Sequence, residues 1–168
     1  MDCRWVKPNI THKKLAELEK SWKLSAVITQ NIDWLHQKAW SKKILEIHGT
    51  TQRVYCDDCG RWYDPDILFT FKWSIPYCNC GWMLRPDVTL YEEQLPAKAW
   101  QDSVIALKSA DLFIIWGTSL TVYPANTLVQ YYGWNKIVII NRDETSQDRF
   151  VDILFHEKKK KVFGEIKV

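Results

Sequence analysis

Four short apolar runs, each ending in a cluster of polar residues, restrict the fold of this chain more than any other feature. They span residues 24–29 (LSAVIT), 43–47 (KILEI), 111–116 (DLFIIW) and 136–141 (KIVIIN). Most are continuously apolar rather than alternating, the pattern of strands buried on both faces, as in a parallel sheet. Helical patterns lie between them. Residues 12–22 place Leu15, Leu18 and Trp22 at spacings of three and four. Residues 97–108, entered through Pro96, put Trp100, Val104 and Leu107 on one face, and residues 124–132 do the same with Ala125, Leu128, Val129 and Tyr132. Strands alternating with helices predict an α/β fold built from βαβ units.

The polar clusters carry the functional signal. They read QNID after the first run, HGT after the second, GTSL after the third and NRDE after the fourth. In open α/β sheets ligands bind outside the carboxyl ends of the strands, so the four clusters are expected to meet in one crevice. Their chemistry suits a nucleotide. Thr118 and Ser119 offer hydroxyls, Gly117 admits close backbone approach, and Asn141 can bond a ribose and a base edge. His48 directly follows a strand and precedes Gly49; an imidazole titrating near neutrality there is a candidate general base. Asp33 and Glu93 are candidate partner carboxylates. His12, His36 and His156 read as helix or surface residues.

Residues 51–87 break the α/β rhythm and contain four of the five cysteines. Cys56 and Cys59 form a C-x2-C pair, and Cys78 and Cys80 a tighter C-x-C pair. In a chain without an apolar leader this spacing indicates a zinc ribbon rather than disulfides. Four thiolates leave no open position on the metal, so the site is structural. Cys3 stands apart and reads as a terminal residue. The absence of a secretory h-region suggests a cytoplasmic location, and no apolar run approaches the roughly 20 residues needed to span a bilayer. Net charge is +3, from 23 basic and 20 acidic residues. That balance argues against a nucleic-acid partner, and the lysine run at 158–161 reads as a solvated face.

Taken together, TQNIDWLHQKA, EIHGTTQRVYCDDC, CNCGWMLRPDV, GTSLTVYPA and INRDET occur in an order that resembles the sirtuins, NAD-dependent protein lysine deacylases, and most of all their bacterial, zinc-bearing type. The resemblance implies a Rossmann-type domain (residues 1–50 and 88–168) with an inserted zinc-ribbon module (51–87), and an acyl-lysine peptide held between them. It assigns NAD contacts to Gln30, Asn31, Asp33, Gly117, Thr118, Ser119, Asn141, Arg142 and Lys159. His48 matches the family's general base, which deprotonates a ribose hydroxyl on the way to transferring the acyl group to ADP-ribose. Val88, Leu90 and Tyr91 fall in the strand that pairs with substrate peptide, and Cys56, Cys59, Cys78 and Cys80 match the ligands to Zn2+.

The departures from that pattern are specific. The family's glycine-rich phosphate loop and its Pro-Asp-Phe-Arg loop are not among these 168 residues. The expectation is therefore a truncated chain with an incomplete Rossmann-type parallel sheet, weak or no turnover, and an exposed sheet edge open to pairing. A non-catalytic, zinc-stabilised binding module is the alternative. Trp34, Trp40 and Trp82 stand where the family pattern has Gly, as does Glu92, and Trp22 and Trp134 look similar. The chain holds ten tryptophans and six glycines. Bulky residues in turns that need positive φ carry strain on the order of 1–3 kcal/mol each.

Overall fold

The structure is a computed structural model that describes residues 5–70, 74–133 and 136–168. Cys3 and Trp134 lie outside the described residues. All four apolar runs form strands within the expected bounds; the first three are β1 (Val27–Thr29), β2 (Ile44–Glu46) and, later, β6 (Phe113–Trp116). The fourth is β7 (Ile137–Asn141). All four strands run parallel to their partners. β1 pairs with β2, with Val27 opposite Ile44, and β6 pairs with β7, with Phe113 opposite Ile137. A further parallel strand, β8 (Ile153–His156), extends the second group to β6-β7-β8. The expectation of one parallel sheet is thus refined to two parallel groups among the described residues.

Helices cover both faces of these strands. On one side α4 (Ala97–Ser109) and a 3-10 helix, Ala125–Tyr131, bury Ile47, Leu107, Ala125, Leu128 and Tyr132 together. Trp100 and Val104 pack against that cluster, as their spacing implied. On the other side α1 (Ile10–Lys20) and α5 (Lys159–Glu165) enclose Leu15, Val27, Ile140 and Phe163, of which Phe163 has no exposed surface at all. Two helical layers around parallel strands explain why those strands read as unbroken apolar runs.

α1 starts two residues earlier than its periodicity suggested because Asn9 caps it. The Asn9 side chain accepts from the Thr11 N–H, and His12 Nδ1 accepts from the Asn9 N–H, a reciprocal pair that satisfies two otherwise orphaned donors. Residues 124–132 are helical as expected, but as the 3-10 form over seven residues.

The insert is antiparallel. β3 (Gly49–Cys56) lies between β4 (Trp62–Tyr63) and β5 (Leu84–Val88). The strand to which resemblance assigned Val88, Leu90 and Tyr91 therefore ends at Val88. Its last residue pairs with Gly49, and the following residues turn away. Val54, Cys56, Cys78 and Leu84 form a small core of their own, against which Ile67 and Leu68 of the short helix α3 (Ile67–Thr70) pack. No helix among the described residues is long and apolar enough to cross a membrane.

Candidate functional site

The carboxyl ends of β1 and β6 open into one cleft of about 220 Å³. Gln30 and Asn31, just past β1, line it together with Gly117 and Thr118, just past β6. Lys159 reaches the same place from the start of α5. Its chain crosses Gly117 so closely that a Cβ there would lie 3.0 Å from Lys159 Nζ, and Gly117 itself holds φ +60. A second depression continues from Gly117 and Thr118 past Ser119 to Asn141, Arg142 and Lys159. Eight of the nine residues assigned by resemblance to the nucleotide thus line two adjoining hollows. Asp33 lines neither. Its carboxylate accepts the Leu35 N–H at 3.0 Å, at the start of α2 (Leu35–Lys38).

His48 sits in the turn between β2 and β3 and is partly buried. Its Nδ1 is 3.1 Å from the carbonyl oxygen of Gln30. A carbonyl can only accept, so Nδ1 carries the proton in this contact and Nε2 is left with its lone pair. That tautomer suits a base. Neither proposed partner carboxylate serves it here: Asp33 accepts the Leu35 N–H, and Glu93 is gripped by Arg85 through two bonds of 2.7 and 2.8 Å. The Arg85 guanidinium holds the Glu93 carboxyl down at about 2. His48 is instead oriented by the main chain, with Thr89 N–H donating to the His48 carbonyl at 3.0 Å. Beyond Val88, Leu90 and Tyr91 are exposed, Tyr91 at 99%.

Sequence reasoning missed one member of the cleft. His36 is in a helix as expected, but it is buried and lines the cleft beside Gln30 and Asn31. Its ring meets that of His12 edge-on at 4.7 Å. Burial first, and the neighbouring His12 second, push its pKa down to about 4; burial also lowers His12. Nothing in the local pattern announces this, because a polar residue in a four-residue helix has no periodic face to betray it.

The four cysteines converge. Their sulfurs all lie within 4.8 Å of one another, with Cys56–Cys80 at 3.5 Å and Cys59–Cys78 at 3.6 Å. A zinc ion with bonds of about 2.3 Å to four tetrahedral sulfurs needs S···S separations of about 3.8 Å, so the residues present fit the metal. They also fit its charge. The Cys59 N–H points at Cys56 Sγ and the Cys80 N–H at Cys78 Sγ, each at 3.5 Å, and the Tyr63 hydroxyl donates to Cys78 Sγ at 3.0 Å. The Cys80 amide first and the Tyr63 hydroxyl second hold the Cys78 thiol down at about 6, whereas the neighbouring sulfurs of Cys78 and Cys56 push Cys80 up to about 12. The cluster is positioned to bind a metal ion such as zinc.

A model of the Sir2 family matches residues 2–124. The chain belongs to the Sir2 family. It is 43% identical over 167 residues to the NAD-dependent protein deacetylase of Clostridium tetani, covering 99% of this chain and 68% of that protein. It is 45% identical over 162 residues to the one from Clostridium acetobutylicum, covering 96% and 66%. Among solved structures, Sir2 bound to acetylated peptide superposes with a TM-score of 0.90 at 36% identity, covering 96% of this chain and 70% of that one. A Sir2–peptide–NAD+ complex gives 0.87 at 37%, covering 94% and 68%. The chain spans about two thirds of the length of these relatives. The Sir2 fold accounts for the parallel strands and for the cysteine cluster set apart from them.

Proposed function

We propose that this chain is the greater part of a Sir2-type, NAD-dependent protein lysine deacylase. The observation that carries the proposal is the convergence of Gln30, Asn31, Gly117, Thr118, Ser119, Asn141, Arg142 and Lys159 on adjoining hollows at the carboxyl ends of β1, β6 and β7. Gly117, Thr118 and Ser119 would lie along the adenosine ribose and phosphates, with Asn141 and Arg142 by the adenosine and Lys159 supplying positive charge beside Gly117. Gln30 and Asn31 would face the nicotinamide ribose. NAD+, when bound, supplies the ribose that receives the acyl group. His48 Nε2, freed by the Nδ1 contact to Gln30, would accept a proton from a ribose hydroxyl, and peptide would lie along Val88, Leu90 and Tyr91.

Residues 51–87 would form a separate zinc-ribbon module whose metal holds the fold and takes no part in the chemistry. Among the described residues β1 and β6 each have one partner and face a common cleft, so each leaves an edge on which another strand could add. The 168 residues contain no glycine-rich phosphate turn. Backbone N–H groups of such a turn are what meet a pyrophosphate in Rossmann-type sites. Losing several hydrogen bonds to a charged group, at roughly 1.5–3 kcal/mol each, would take micromolar binding to millimolar or weaker. We therefore expect these 168 residues alone to turn over slowly.

The test is deacetylation of an acetyl-lysine peptide with NAD+ by the chain supplemented with, or fused to, the amino-terminal part of a close relative. Turnover that is lost in His48→Gln, with an unchanged circular dichroism spectrum, is the expected result. A His48→Gln variant as active as its parent would overturn the assignment of the base.

A further inference from the structure

Three tryptophans occupy left-handed backbone positions that disfavour any residue with a Cβ. Helix α1 ends with the N–H of Lys23 on the carbonyl of Leu18 at 2.9 Å and the N–H of Trp22 on that of Glu19 at 3.1 Å. Helix α2 ends in the same way, with Ser41 N–H on His36 O at 3.1 Å and Trp40 N–H on Gln37 O at 2.9 Å. This paired bonding requires a left-handed residue just past the helix, where glycine predominates. The occupants are Trp22 at φ 61 and Trp40 at φ 75. Trp34 at φ 60, ψ 18 enters α2 in the same conformation.

The indoles gain nothing visible in return. Trp22 is 95% exposed, Trp40 79% and Trp34 38%. An aromatic ring stabilises a fold through the area that it buries, and Trp22 and Trp40 bury little, while Trp34 buries more. Among the described residues their one ring contact is the Lys42 ammonium, 5.7 Å from the centre of Trp40, which is weak at an exposed site. Tryptophan supplies ten of the 168 residues, yet three of the five non-glycine residues with positive φ among those described. The chain is meanwhile short of glycine, with six. Two helix ends and one helix start therefore have a glycine backbone and a tryptophan side chain.

We infer that positions 22, 34 and 40 are glycine in the protein as its own cell makes it, encoded by UGA triplets that the cell reads as glycine. UGA is read as stop in most cells, as tryptophan in some and as glycine in others. Reading the same gene with the tryptophan meaning replaces each such glycine by an indole and touches nothing else. This explains why tryptophan, of all residues, recurs in left-handed turns. An adapted protein, or one decaying at random, has no reason to choose it. It also makes the loop after β1, which lines the cleft, an ordinary glycine-containing turn.

Two measurements test the inference. The gene is expected to carry UGA at codons 22, 34 and 40, and peptide mass spectrometry of the protein from its source cells is expected to find glycine there. UGG codons, or native peptides that retain the indoles, overturn it. Independently, in the tryptophan-bearing recombinant chain, Trp22→Gly and Trp40→Gly are each expected to raise Tm by about 2–4 °C. Trp100→Gly, within right-handed α4 and packed on its core, is expected to lower it. An unchanged or lower Tm for Trp22→Gly and Trp40→Gly contradicts the claim that these backbones are built for glycine, and would instead favour exposed rings kept for a partner.

Discussion

Gly49→Ala is expected to be among the most damaging single-methyl changes in this chain. Gly49 opens β3 directly after His48 and holds φ +74. A Cβ built there lies 2.1 Å from the carbonyl oxygen of Asp87, 3.0 Å from its carbon and 3.1 Å from the Cα of Val88. All three are main-chain atoms of β5, so no side chain can swing aside. The left-handed conformation alone costs an L-residue about 1–2 kcal/mol. Forcing the methyl in adds an overpacking cost of about 1–3 kcal/mol. Opening the Gly49–Val88 and Thr50–Asp87 pairs to avoid the clash would instead lose hydrogen bonds worth about 0.5–1.5 kcal/mol each. The sum is about 2–5 kcal/mol, or about 5–20 °C in Tm for a chain of this size. Gly60→Ala is the control, since φ is +69 but nothing lies within 4 Å. It should lose only the backbone part, about 1–2 kcal/mol or about 2–8 °C. Gly133, with neither positive φ nor a neighbour within 4 Å, should tolerate alanine without a measurable shift. Thermal unfolding followed by circular dichroism at matched zinc concentration reads all three. Equal shifts for Gly49→Ala and Gly60→Ala would refute the claim that β5 closes over Gly49.

The purified chain should contain one zinc, and Cys59→Ser or Cys80→Ser should release it and unfold the β3-β4-β5 module first, because metal binding there is folding free energy; full thiol titration without zinc release would contradict this. Buried His36, with a folded pKa of about 4, binds a proton less readily than in the unfolded chain. Its contribution is therefore intact above about pH 6.5 and is lost as pH falls toward 4, by about 3 kcal/mol in all. Denaturant titrations from pH 7 to pH 4 should show this slope flattened in His36→Leu, and parallel slopes would refute it. Gln30 orients His48 through its main-chain carbonyl, so Gln30→Ala should leave the pH dependence of turnover in place while weakening cofactor binding, read as a rise in KM for NAD+.

Much of the fold was legible in the sequence because the parallel strands are buried on both faces, and burial leaves an unbroken apolar run. β8 was missed for the converse reason: Ile153 and Phe155 are exposed, so its run carries little signal. The cysteine cluster was legible from spacing alone, because four soft ligands must meet at one ion. The helper bonds from Tyr63 and the Cys59 and Cys80 amides were not, since they depend on how the chain turns around the sulfurs. In the cleft, Gly117, Thr118 and Ser119 announced themselves by following a strand. His36 did not, because its burial comes from packing against His12, a residue 24 positions away on another helix. The strained tryptophans were visible as an oddity of composition, but only the φ angles and the paired helix-end bonds show that the backbone beneath them is that of glycine.

The central claim is that the hollows at the ends of β1, β6 and β7 form the nucleotide site of a Sir2 enzyme. Amide chemical-shift mapping during titration with NAD+ tests it most directly. Binding near the millimolar range is expected, with the largest shifts at Gly117, Thr118, Ser119, Asn141 and Lys159, and these should weaken together in Ser119→Ala and Asn141→Ala. Shifts that cluster elsewhere, or an affinity that neither substitution changes, would contradict it.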